Sequence, residues 1–139
     1  MAESKVGEAR FSLIIHGESL PMEDIEARLG LRATRIIHKG EVLNRLPLIE
    51  APADEWVYTV PLTEPVGTVA EWNSLLSHLE SRADALAALR ESCTVTLRLY
   101  IQSDYSQIAY RLSPETMGKL VALGMPLSIS SLSWGEVAI

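Results

Sequence analysis

Val95-Thr96-Leu97-Arg98-Leu99-Tyr100-Ile101-Gln102 alternates aliphatic with polar or aromatic side chains without a break. Successive strand residues point to opposite faces, so the stretch reads as a strand with one core face and one polar-aromatic face. Phe11, Leu13 and Ile15 alternate in the same way with Ser12, Ile14 and His16, which predicts a first strand of the same kind. If the two share a sheet, Ser12, Ile14, His16, Thr96, Arg98, Tyr100 and Gln102 project together from one face. That face is either ordinary solvated surface or a partner surface, since Tyr and Arg are enriched where proteins meet.

Working outward, Trp56, Tyr58 and Val60 alternate with Val57 and Thr59 and stop at Pro61, a third such strand. Ala33 to His38 reads as a strand before Lys39-Gly40, and Glu41 to Asp54, marked by Pro47 and Pro52, as a loop. After a turn at Ser103-Asp104, Gln107 to Leu112 can return as a hairpin partner. Pro126 to Trp134 supplies a last strand, in which Leu132 and Trp134 change face as at a bulge or an edge.

Three helices separate these strands. Pro21 with Glu23 and Asp24 opens the first, Met22, Ile25 and Leu29 share its apolar face, and Gly30 ends it. Thr68 and Glu71 have the spacing of a capping box ahead of a long helix reaching Arg90, with Trp72, Leu75, Leu76, Leu79, Ala83 and Leu86 at three- and four-residue spacing. Ser113-Pro114-Glu115 opens the third, which carries Met117, Leu120, Val121 and Leu123 and ends at Gly124. The order predicts an α+β fold, a mostly antiparallel open sheet with three helices packed on one face. The two helices that open at proline and end at glycine echo one another, as in a pseudo-duplicated ferredoxin-like plan, although common helix grammar produces the same echo. A flexible N-terminus over 1–8 and a single domain over 9–139 are expected.

Eighteen acids against twelve bases leave a net charge of −6, which opposes non-specific attraction to nucleic acid or to an anionic membrane and favours a basic partner. Met1 to Arg10 lacks the apolar core of a signal peptide, and no apolar run approaches the length of a bilayer span, so a cytoplasmic location is expected. Cys93 is the one cysteine; it excludes an intrachain disulfide and reads as a half-buried structural thiol. His16, His38 and His78 show no metal-ligand spacing, no serine lies in a Gly-x-Ser-x-Gly elbow, and no glycine-rich phosphate loop follows a strand. No catalytic residue, metal or cofactor is therefore assigned.

Between positions 28 and 45, Arg28, Arg32, Arg35, Lys39 and Arg45 face only Glu41. Five bases against one acid leave +4 there and −10 over the rest. Such a strip could take up a phosphate or an acidic loop, or could guard an edge strand against aggregation. Two sets of candidate contacts follow: His16, Arg98, Tyr100 and Gln102 toward a protein partner, and Arg32, Arg35, Lys39 and Trp56 toward an anionic small molecule held between the sheet and the 41–54 loop.

Phe11-Ser12-Leu13-Ile14-Ile15, Leu29-Gly30-Leu31-Arg32-Ala33-Thr34, Lys39-Gly40-Glu41, Trp56, and Leu112-Ser113-Pro114-Glu115 followed by Leu123-Gly124 together resemble a bacterial family, domain of unknown function 4279. Ala33 stands where the family pattern has proline. The resemblance spans nearly the whole chain and implies no activity, so it carries over no catalytic residue. Small acidic domains of this look often resemble immunity proteins, which neutralise a toxin by binding it. The expectation that follows is a protein-binding module acting on a basic toxin, with anionic-ligand sensing as the alternative.

Overall fold

The computed structural model describes residues 6–62, 70–103 and 112–133. In chain order the elements are β1 (Val6–Gly17), α1 (Met22–Leu29), β2 (Arg35–Ile37), β3 (Val42–Arg45), β4 (Leu48–Glu50), β5 (Asp54–Pro61), α2 (Ala70–Glu80), α3 (Ala83–Arg90), β6 (Thr94–Ser103), α4 (Pro114–Leu123) and β7 (Leu127–Ser133). β1 is buried on both faces at its middle, with Phe11, Leu13 and Ile15 on one side and Ile14 on the other. A strand of that kind belongs inside a sheet, and β1 is the central strand of an open five-stranded sheet in the order β2-β5-β1-β6-β7.

Both neighbours of β1 run antiparallel to it, Leu13 standing opposite Tyr58 of β5 and Leu97 of β6. β2 is antiparallel to β5, whereas β7 is parallel to β6, so the sheet is mixed. Within β1-α1-β2-β5-α2-α3-β6, strands β1 and β2 are parallel with β5 between them, and β5 and β6 are parallel with β1 between them. That is the interleaved ferredoxin-like plan. The duplication does not relate the two helices that echo each other in sequence. α1 joins strands separated by β5, while α4 lies in the chain between β6 and β7, which are direct neighbours.

Residues opposed across the ladder face the same way, so Phe11, Leu13, Ile15, Trp56, Leu97 and Leu99 form one apolar face. The inward residues Ile25, Leu29, Trp72, Leu76, Leu79, Leu86, Leu89 and Leu123 from all four described helices complete a single cluster with it. The Phe11 and Trp72 rings stack with centroids 5.4 Å apart and planes 4° apart. The indole N–H groups of Trp56 and Trp72 are buried without a hydrogen-bond partner, a cost of about 1–3 kcal/mol each.

The structure departs from the sequence reading in three places. β1 begins at Val6, inside the segment read as a tail, and its pairing with β6 shifts between Val6 and Glu8. The long helix is two: the Ser81 hydroxyl donates to the His78 carbonyl, and Arg82 leaves helical geometry at φ −118°, ψ 24° before α3 begins. The apolar spacing carries across the break, which hides it in the sequence. The 41–54 segment is not a plain loop but contains a two-stranded ribbon of β3 and β4. The Gln107–Leu112 return strand, the Thr68–Glu71 capping box and Trp134 lie outside the described residues.

The helix break has a use in packing. Arg82, at the start of α3, donates to the Arg28 carbonyl (3.4 Å), and His78 bonds the Leu29 carbonyl (2.6 Å), at the C-terminus of α1. Arg90, at the other end of α3, donates to the carbonyls of Leu123 (3.2 Å) and Gly124 (2.7 Å) at the C-terminus of α4. Cations thus sit where two helices present orphan carbonyls and the negative ends of their dipoles. Ser113 caps α4 by accepting the Thr116 amide at 3.1 Å.

Candidate functional site

Period-two alternation puts the polar residues of β1, β5 and β6 on the face away from the helices. Arg10 stands opposite Tyr100, Ser12 opposite Arg98 and Thr59, and His16 opposite Thr94 and Glu55. His16, Arg98, Tyr100 and Gln102 therefore share one face. They form a band rather than a point, because His16 and the residue paired with Gln102, Glu8, are eight positions apart on β1, roughly 25 Å at strand rise. Along the band the Arg10 guanidinium lies 4.6 Å from the centre of the Tyr100 ring, and the Tyr100 hydroxyl donates to Gln102 Oε1 at 3.4 Å. Ser12 and Thr59 hydroxyls bond at 2.9 Å.

The proposed anion contacts do not converge. Trp56 is fully buried in the core and opposes Ile36, while Arg35 opposes Val57 and so projects from the other face of the sheet. No ligand held by Arg35 on that face can reach the Trp56 ring. Arg32 is exposed between α1 and β2. Lys39 bonds Glu18 at 2.6 Å, with both side chains exposed, and this contact raises the lysine pKa. Arg28 is paired with Asp24 at 2.8 Å.

Asp54, the last residue of the segment read as a loop, works as a clamp. Its carboxylate accepts the amides of Lys39 (2.7 Å) and Leu20 (3.0 Å), tying two connections to the start of β5. The Lys39 amide, then the Leu20 amide, holds the Asp54 carboxyl below its ordinary pKa. Cys93 is half-buried beside Ser92. Among the described residues no three His, Cys, Asp or Glu side chains gather as a metal site, and no helix is long and apolar enough to cross a membrane.

The feature that sequence reasoning missed is the ribbon. Every residue from His38 to Glu50 is exposed, including Val42 (49%), Leu43 (44%), Leu46 (91%), Leu48 (65%) and Ile49 (46%). Leu48 and Ile49 are consecutive in β4 and point to opposite faces, so both sides of the ribbon present uncovered aliphatic surface. Its tip turns through the cis Leu46–Pro47 peptide. Its root is fixed by Gly40 N–H to the Ala51 carbonyl and Ala51 N–H to the Glu41 carbonyl, both 2.8 Å. Two short apolar runs, Val42-Leu43 and Leu48-Ile49, flank a proline turn, and that symmetry was the available signal.

A protein-family model described as a domain of unknown function (DUF4279) matches residues 7–134. Comparison with curated proteins and with solved structures returns no match.

Proposed function

The chain belongs to the DUF4279 family, and from that premise we propose that it is a protein-binding module without catalytic activity of its own. The observation that carries this reading is the ribbon. A two-stranded hairpin is marginal when isolated, and contiguous exposed aliphatic surface marks interaction sites in soluble proteins. Leu46 and Leu48 at the tip are the natural anchors, and the polar band with Arg98 and Tyr100 offers a second contact area.

The finer reading is an immunity protein in the cytoplasm of a bacterium, neutralising a toxin by direct binding. The surplus of ten acids outside positions 28–45 complements a basic toxin domain and would speed their encounter. Anionic-ligand sensing has less behind it, because Trp56 is buried and Lys39 is engaged by Glu18.

The test is co-expression with the product of an adjacent toxin-like gene. A complex and protection from toxicity are expected, with affinity reduced at least about tenfold by the double variant Leu46→Asp, Leu48→Asp at an unchanged circular dichroism spectrum. Wild-type protein that neither binds nor protects would end the immunity reading. Undiminished binding by the double variant would remove the ribbon from it.

A further inference from the structure

On the helix side of the sheet, Leu31, Tyr58, Val60, Ser74, Leu75 and His78 line a groove of about 360 Å³ between β5 and α2. That volume lies at the lower end of the range for small-molecule sites. Among the described residues no formally charged side chain lines it; those that do are aliphatic apart from the Tyr58 ring and hydroxyl, the Ser74 hydroxyl and the His78 imidazole.

The polar groups are defined. The Leu29 carbonyl can only accept, so the 2.6 Å contact requires His78 Nε2 to carry the hydrogen. In the neutral ring Nδ1 is then an acceptor, with no protein partner among the described residues. The Tyr58 hydroxyl likewise has no protein partner there. The groove is thus lined by a tyrosine whose hydroxyl can donate and a histidine whose Nδ1 can accept.

We propose that this groove binds a small, uncharged and mainly apolar molecule carrying one group that both donates and accepts a hydrogen bond, such as a phenol or an alcohol. A carboxylate or ammonium would give up hydration against lining residues that, among those described, provide no countercharge. A plain hydrocarbon would leave the Tyr58 hydroxyl and His78 Nδ1 without partners. The site is on the opposite side of the sheet from the polar band and does not depend on the protein-binding reading.

The experiment is titration of the isotope-labelled full chain with phenol, toluene, benzoate and hexylamine, followed by amide chemical shifts. Phenol should give saturable shifts centred on Leu31, Tyr58, Val60, Leu75 and His78, and bind more tightly than the other three probes. Tyr58→Phe should weaken phenol about three- to tenfold while leaving toluene unchanged. Ser74→Trp, at an exposed helix position, should fill the groove and abolish the shifts; Leu31→Phe serves if that variant does not fold. The proposal is overturned by absence of saturable phenol shifts, by equal binding of toluene or benzoate, or by an unchanged response in the filled variant.

Discussion

Gly30 and Gly124 both end their helices in the left-handed region, at φ 65°, where a side chain costs roughly 1–2 kcal/mol. Their surroundings differ. A Cβ on Gly124 would meet Arg90 Nη1 at an ordinary 3.5 Å, whereas one on Gly30 would come within 2.8 Å of Arg82 Nη2. Because that guanidinium is the end of a flexible, exposed side chain that can swing away, Gly30→Ala and Gly124→Ala should lower the urea midpoint by similar amounts, set by the positive φ; a clearly larger loss in Gly30→Ala would mean that Arg82 cannot yield. Asp54 supplies a pH-dependent counterpart. Its folded pKa is depressed from 3.8, so its stabilising effect is complete above that value and is lost as pH falls through the lower folded value. Asp54→Asn should melt earlier at neutral pH and lose stability less steeply in acid than the wild type. Parallel acid titrations of melting temperature would not fit that role.

At the scale of elements, the ribbon and α2 stand at opposite extremes of burial. α2 contributes Trp72, Leu75, Leu76 and Leu79 to the core, and Trp72→Ala should destabilise by about 3–5 kcal/mol through the cavity and the lost stack on Phe11. The ribbon contributes no side chain to that cluster. Replacing 42–49 by a short glycine-serine turn between Glu41 and Glu50 should change unfolding free energy by under about 0.5 kcal/mol, as exposed substitutions do, while removing partner binding. A large loss of stability in that variant would mean that the ribbon serves the fold instead. Such an element is hard to recognise in a sequence. Its alternation is interrupted at Leu43, where the β3–β4 register shifts, and Pro47, a breaker elsewhere, is compatible with a hairpin tip.

Across the whole molecule, legibility follows the range of the interaction. The alternations in 11–16, 56–60 and 95–102, and the helix faces of Ile25, Leu76 and Leu123, could be read directly because they record which side of an element is buried, a local and periodic property. The same alternation turned His16 on one strand and Arg98, Tyr100 and Gln102 on another away from the core, but only the pairing of the two strands in one sheet put the four on one face, and only the β2–β5 ladder held Arg35 apart from Trp56. Strand order, the reach of Arg82 and Arg90 to two other helices, the hold of Asp54 on Leu20 and the groove beside His78 depend on partners dozens of positions away. Periodicity carries no term for such pairings. Whether an aliphatic side chain is core or contact surface is likewise settled by what the folded chain brings over it: Leu76 is enclosed by the sheet and helices, and Leu46 is left bare.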